Sequence, residues 1–269
     1  MNALYRTFFG LTQEPFGSEL TLAQIFPTPD LLAVQERLEY AIHLGAMALV
    51  TGDIGSGKST ALRYAAGQLH PSEYRILCVT ASSGSILEFY RLLLSELGID
   101  TASTSRAVMI RLIKREIREL VQGKKLKVVL LLDEASLMHL EVFAELHTLT
   151  QFEQDSKPWL PIILAGQNPL IDKLQYRASL PLASRIVARS HLPGVQRQEM
   201  EQYLKHHLCL AGVKNNLFEE AAITAIHQGS GGLFRKANHL ARGALIAAAK
   251  EKCPQATAEH VRLASTEIF

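Results

Sequence analysis

Sulfur chemistry has little to work with in this sequence of 269 residues. Its three cysteines, Cys78, Cys209 and Cys253, are odd in number, far apart and without metal-ligand spacing. That pattern fits a reduced, cytoplasmic compartment, with each thiol expected as a small buried hydrophobe or an idle side chain. Long apolar runs are missing as well. Val128–Leu132 and Pro161–Ala165 fall far short of the roughly 20 residues that cross a bilayer, so they read as buried strands. The first ten residues have neither the apolar core nor the cleavage site of a signal peptide. Excess charge is also lacking. Lys and Arg number 28 against 26 Asp and Glu, a formal net charge of +2, so an argument for nucleic acid has to come from a local patch. There is no low-complexity tract and no internal repeat. What remains is the composition of a soluble globular protein, long enough for one large domain or a core with a small appended one.

One segment carries specific chemistry. Residues 52–60 read Gly52-Asp53-Ile54-Gly55-Ser56-Gly57-Lys58-Ser59-Thr60, the full spacing of a phosphate-binding loop. An apolar run, Ala46 to Val50, leads into it and a helix-forming stretch, Ala61 to Leu69, leaves it. In that context backbone N–H groups converge on phosphate at a helix N-terminus, where the dipole favours negative charge. The glycines allow the tight loop and the close approach. Lys58 is expected on the β- and γ-phosphates of ATP, and the Ser59 hydroxyl on Mg²⁺.

Along the chain, residues 1–28 form an aromatic- and Pro-rich lead-in, followed by an amphipathic helix from Pro29 to about His43. A repeating beat follows. Strands are expected at 46–51, 75–80, 127–133 and 160–165, with helices at 58–69, 84–97, 104–122 and 139–152. Strands alternating with helices make a parallel sheet covered on both faces, an α/β fold. Arg185–Leu192 offers one more strand. After Pro193-Gly194 the pattern turns helical, at 197–211, 218–228, 233–250 and 257–268. The expected organisation is a lead-in (1–28), an α/β core (29–194) and a helical tail (195–269).

Lys127 to Asp133 is a buried strand with an acidic end, Asp133-Glu134. Asp133 there would hold Mg²⁺, and Glu134 would polarise a water for in-line attack on the γ-phosphorus. Acidic strand ends are common, and only the phosphate loop upstream gives this one its meaning. The strand ending at Ala165 is followed by Gly166-Gln167-Asn168. An amide there, Gln167 first and Asn168 second, can position the water or sense the γ-phosphate; a plain polar turn is the other reading.

Taken together with Arg185-Ile-Val-Ala-Arg189 and Gly231-Gly-Leu-Phe-Arg235, these motifs resemble an AAA+ ATPase over nearly the whole chain. The resemblance implies that the helical tail is a lid and that Arg235 is a second sensor of the γ-phosphate. It also implies an arginine completing the neighbouring subunit's site, Arg185 or alternatively Arg189. Three further segments narrow it: Phe8-Phe9-Gly10-Leu11 with Glu14-Pro15-Phe16, His191-Leu192-Pro193-Gly194, and Gly231-Gly232. They are similar to the general secretion pathway protein A group. One branch of that group is membrane-anchored and serves secretion; the other is short, soluble and associated with DNA transposition. The chain ends at Phe269, where a lid is expected to end, so the expectation is the short branch.

The residues themselves offer one local basic patch. Within 104–122, Arg106, Arg111, Lys114, Arg115 and Arg118 accompany an apolar face of Val108, Leu112, Ile113, Ile117 and Leu120. Arg111, Arg115 and Arg118 share one helix face. A ring or filament presenting it would bind double-stranded DNA without sequence preference; a solvated amphipathic face is the plainer alternative. In the lead-in, Tyr5, Phe8 and Phe9 are expected to pack on the core or a neighbour, and Phe16 and Phe26 either to pack likewise or to wall an adenine pocket. The expectation is therefore an oligomeric ATPase with Mg²⁺ that regulates a transposase on DNA. The alternatives are a secretion or pilus-assembly ATPase and an ATP-switched scaffold with negligible turnover.

Overall fold

The apolar runs become strands in the computed structural model, which describes residues 2–266 and side chains from residue 5 onward. They are β1 (Met47–Gly52), β2 (Tyr74–Thr80), β3 (Lys127–Asp133), β4 (Ile162–Gly166) and β5 (Ile186–Leu192). Among the described residues they form one sheet in the order β2-β3-β4-β1-β5, with every pairing parallel. Val129, Leu130, Ile163 and Leu164 are fully buried. Middle strands covered on both faces read as continuous apolar runs, whereas β2 and β5 at the edges roughly alternate buried and exposed positions. The order also puts β4 between β1 and β3. Gly52, Gly166 and Asp133 therefore end neighbouring strands at the carboxyl edge of the sheet, where open α/β sheets form their crevice.

Helices follow in chain order: α1 (Asn2–Phe9), α2 (Pro29–Leu44), α3 (Lys58–Gln68), α4 (Ile86–Glu96), α5 (Arg106–Arg118) and α6 (Leu140–Thr150). The expected helix over 104–122 stops early. A wider π turn, Glu119–Gly123, takes over at Arg118, buries Leu120 and reverses the chain into β3. Its buried row is Met109, Ile113 and Ile117, spaced i, i+4, i+8, while Val108 and Leu112 are only half-buried. Two short helices arise where none was expected, α7 (Pro169–Gln175) and α8 (Leu180–Ala183). Each carries Pro in its first turn, and both are too short to show a helical period.

The tail holds α9 (Arg197–Leu210), α10 (Glu220–Ser230), α11 (Phe234–Lys250) and α12 (Ala258–Ser265); residues 267 and 268 of the last expected helix lie outside the described residues. Two compact units result. One is Pro29–Gly52 with Lys58–Leu192, built on the sheet; the other is Met1–Thr28, Asp53–Gly57 and Pro193–Phe269. Tyr5, Leu11 and Phe16 join the core of the helical unit beside Leu204, Phe218 and Leu240. Glu14 fastens them, accepting from Tyr5 Oη at 2.5 Å and Arg242 Nε at 2.7 Å. Phe8 remains exposed. Gly232, at φ +77°, lies so close to Val195 that a Cβ would sit 2.4 Å from its carbonyl oxygen. No larger residue fits there. Cys78 and Cys209 are exposed, which leaves the idle side chain of the two expected roles; Cys78 sits at an outward position of the edge strand β2. Among the described residues no helix is long and apolar enough to cross a membrane.

Candidate nucleotide site

The chain leaves β1 at Gly52 and enters α3 at Lys58. Lys58 is buried, and its Nζ donates to the Gly52 carbonyl at 3.0 Å. Within the loop, Ser56 N–H donates to Asp53 O at 3.2 Å, and Gly55 and Gly57 take φ of +85° and +100°. The Ser56 side chain is 2% exposed, and its Oγ has no hydrogen-bond partner. An unsatisfied buried hydroxyl costs about 1–3 kcal/mol. An anion seated in the loop would accept from it, so these residues fit a phosphate group. Asp53, Ile54 and Ser59 are exposed and Thr60 is half-buried, with Ser59 in the first turn of α3 where a hydroxyl can reach a metal.

Inside the helical unit, the Arg235 N–H donates to Gly55 O at 3.3 Å. A Cβ on Gly57 would lie 3.4 Å from the Phe234 ring. The start of α11 is thus packed on loop residues 53–57, with the Arg235 side chain exposed. Phe234 also stacks near Tyr203, ring centroids 4.7 Å apart, and Tyr203 lies 6.2 Å from Phe26. Burial pushes the Tyr203 phenol up to about 12, so it stays a neutral donor to Asn238 Oδ1.

At the sheet's carboxyl edge, Asp133 and Glu134 are half-buried. Glu134 adopts the left-handed conformation, φ 53° and ψ 31°, and its N–H donates to Asp133 Oδ1 at 2.8 Å. A non-glycine residue there costs about 1–3 kcal/mol and persists only where its surroundings over-determine it. That conformation ends β3 and leads into a 3₁₀ turn, Ala135–Leu137. Gln167 follows β4, between the ends of β1 and β3, and its N–H donates to Ser136 Oγ at 3.4 Å. Asn168 is exposed and directly precedes α7 at its N-cap position. Sequence reasoning missed Lys173 of α7, whose Nζ donates to Ser136 O at 2.6 Å and Met138 O at 2.7 Å. The signal that would have found the helix was Pro169 directly after Asn168, a first-turn proline.

Arg185 lies at the other edge of the sheet, its carbonyl accepting from the Met47 N–H at the start of β1. The guanidinium is held in its own unit, donating to Asp155 Oδ2 at 2.5 Å and to His147 Nδ1 at 3.3 Å. The bond from Arg185 holds the Asp155 carboxyl below its ordinary range, and burial, then Arg185, lowers the His147 pKa. Arg189 is exposed on β5. On α5, Arg111, Arg115 and Arg118 are exposed on one face. Lys114 is not part of it: its Nζ donates to Gln151 O at 3.0 Å over the Phe152 ring, and burial lowers its pKa. Arg106 pairs with Glu145.

One more cluster is metal-like in composition only. Ligand atoms of Glu251, Cys253 and His260 lie within 4.8 Å of one another. His260 Nδ1 accepts the Thr257 N–H at 2.9 Å, so the ring proton sits on Nε2, which donates to Glu251 at 3.1 Å. Nδ1 is engaged in capping α12 and Nε2 in the bond to Glu251, so neither offers a lone pair to a metal.

Comparison with known proteins agrees with this geometry. Residues 42–174 match the AAA domain. General secretion pathway protein A of Aeromonas hydrophila is 30% identical over 275 residues, covering 98% of this chain and 48% of that protein. The chain thus spans about half the length of the curated relative it matches. Cdc6p from Pyrobaculum aerophilum superposes with a TM-score of 0.74 at 16% identity, covering 95% of this chain and 70% of that one. The Aeropyrum pernix ORC1 protein, solved in complex with DNA, gives 0.66 at 14% identity, covering 92% and 67%. Likeness at such identities concerns the fold.

Proposed function

We infer that this chain, which has the AAA+ P-loop NTPase fold, binds ATP with Mg²⁺ and hydrolyses it, as a subunit of an oligomer that works on DNA. The observation that carries the reading is the convergence at one sheet edge: Lys58 after β1, Gln167 after β4, and Asp133 with Glu134 after β3. Lys58 and the loop N–H groups of residues 53–59 would bind the phosphates, with Ser56 Oγ as an added donor. Ser59 and Asp133 would hold Mg²⁺, which when bound neutralises charge on the transferring phosphoryl group. Glu134 takes the proton of the attacking water, and Gln167 orients that water. Arg235, placed by its main-chain bond to Gly55, would read the γ-phosphate. Phe26 and Phe234, both half-buried against Tyr203, are the aromatic side chains we propose for the base.

For the output, the exposed face of Arg111, Arg115 and Arg118 supports backbone contact with double-stranded DNA, and a transposase is the partner we propose. Support for the transposase comes from resemblance to the general secretion pathway protein A group alone. A second reading, the ATPase of a secretion or pilus-assembly system, draws on the 30% identity to General secretion pathway protein A.

Two variants test the chemistry. Lys58→Ala is expected to lose ATP binding. Glu134→Gln is expected to keep it and to lose turnover by on the order of a hundredfold or more, as removal of a general base does. Parent-rate turnover in Glu134→Gln would overturn the assignment. Stimulation of turnover by double-stranded DNA favours the DNA reading over the secretion one.

A further inference from the structure

We propose that Lys173 is a positioning residue for Glu134: its ammonium clamps the turn that holds the general base in place. The inference rests on the hydrolytic reading above and goes beyond it in naming what sets the base's geometry. Glu134 sits in a left-handed conformation that a side chain of its size disfavours, so something must hold it. Its own bonds are local, from its N–H to Asp133 Oδ1 and from the Leu137 N–H to its carbonyl at 2.9 Å. Bonds within four residues of one another move together and fix nothing relative to the sheet.

The external hold comes from β4 and α7. Lys173 Nζ donates to two carbonyls of the turn, Ser136 O at 2.6 Å and Met138 O at 2.7 Å. Both bonds are charge-assisted and short, which makes them stronger than neutral ones. They draw two carbonyls of the turn toward one cation and so define its curvature. Gly166 supplies the floor: a Cβ there would lie 2.9 Å from Ser136 N and 3.2 Å from Ser136 Cβ. The Gln167 N–H adds its bond to Ser136 Oγ. Lys173 itself is half-buried, and α7 is anchored on either side of it by the buried Leu170 and Leu174. The same clamp ties the segment carrying Glu134 to the one carrying Gln167, so base and water-orienting amide keep one spacing.

Loss of the ammonium should therefore displace Glu134 while leaving the phosphate loop untouched. Lys173→Met keeps an unbranched apolar chain of nearly the same length and removes the charge; Lys173→Arg keeps a cation with donors enough for both carbonyls. In the full chain, Lys173→Met is expected to bind a fluorescent ATP analogue with the parent's Kd and to lose kcat by about tenfold to a hundredfold, the range that follows from sub-ångström to 1 Å misplacement. Lys173→Arg should recover most of that loss. Hydrogen exchange reads the clamp without turnover: amides of Glu134 and Leu137 should exchange faster in Lys173→Met, with those of Leu130–Leu132 in β3 unchanged. Equal exchange in parent and variant, or equal kcat in a parent that does turn over, would overturn the proposal. A parent that binds ATP and never hydrolyses it, with the exchange difference present, would sink the hydrolytic reading and leave the clamp standing.

Discussion

The main-chain N–H of Arg235 donates to the Gly55 carbonyl at 3.3 Å, and a Cβ on Gly55 would meet the Arg235 Cβ at 2.8 Å. The first turn of α11 and the middle of the phosphate loop are thus in main-chain contact inside one compact unit. A change in either is felt by the other. The sensor role proposed for Arg235 therefore has a backbone route as well as a side-chain one.

Gly55→Ala tests that contact. Its φ of +85° is strained for any side chain, at about 1–2 kcal/mol, and the added methyl also pushes on Arg235. The free loop of the variant escapes that strain by leaving this conformation and has to regain it to bind, so at 1.4 kcal/mol per tenfold ATP binding should weaken by roughly tenfold. Titration calorimetry reads it directly. Unchanged affinity would mean that nucleotide binds to a different loop geometry from this one.

How far this was legible in the sequence depends on the range of the interactions. Lys58, Asp133 and the strands were legible because each is written in a short contiguous pattern: a loop spacing, or an apolar run with a polar end. The strand order that puts Gln167 between β1 and β3 is non-local: alternation of strands and helices predicts a parallel sheet but not the order of its strands. Lys173 was not legible. Its partners are carbonyls 35 and 37 positions away, and a main-chain carbonyl has no sequence signature. The burial of Tyr5 and Phe16 beside α9 and α11 was foreseen only as packing somewhere, since aromatic content says that a residue is covered and not by what.

The exposed arginines of α5 give a salt-dependent expectation. Replacing Arg111, Arg115 and Arg118 together with Ala should leave the fold intact, because the helix is held by Met109, Ile113 and Ile117. Affinity for double-stranded DNA should fall for all sequences alike. The slope of log K against log salt should flatten by about 0.9 for each phosphate no longer neutralised, up to nearly 3. An unchanged slope, measured by fluorescence anisotropy across salt concentrations, would make this face merely solvated.

His207 gives the helical unit a pH dependence. The ring is 1% exposed, Nδ1 donates to Pro15 O at 2.6 Å, and Nε2 is buried without a partner. Burial lowers its pKa from 6.5 to about 4. The unfolded chain therefore binds the proton more readily, and stability rises with pH across that window. Above pH 6.5 the stability is fully present; it is lost as pH falls toward 4, by on the order of 3 kcal/mol. His207→Gln keeps a donor for Pro15 O and cannot titrate, so its denaturation midpoint should vary less between pH 7 and 4. Identical pH profiles for parent and variant would remove His207 as the cause.

Arg185 lies at the opposite end of β1 from the phosphate loop of its own chain. Its carbonyl bonds the N–H of Met47, the first residue of β1, and the phosphate loop leaves from the last, Gly52. The five residue steps from Met47 to Gly52 span roughly 17 Å, well beyond the reach of an arginine side chain. A catalytic guanidinium at this position has to act on a neighbour, where arginine fingers can be worth several orders of magnitude in rate. Arg185→Ala should bind ATP and fail to hydrolyse it. Asp155→Asn, which loosens the same guanidinium without removing it, should keep turnover and so separates the finger from the ion pair. The decisive measurement mixes Arg185→Ala with Lys58→Ala, each inactive alone. In a mixed oligomer the Lys58→Ala subunit still presents Arg185 to a neighbour whose loop binds ATP, and activity should partly return. If co-assembly is confirmed and activity stays absent, Arg185 has no part in the chemistry, and Arg189, exposed on the edge strand β5, becomes the residue to replace.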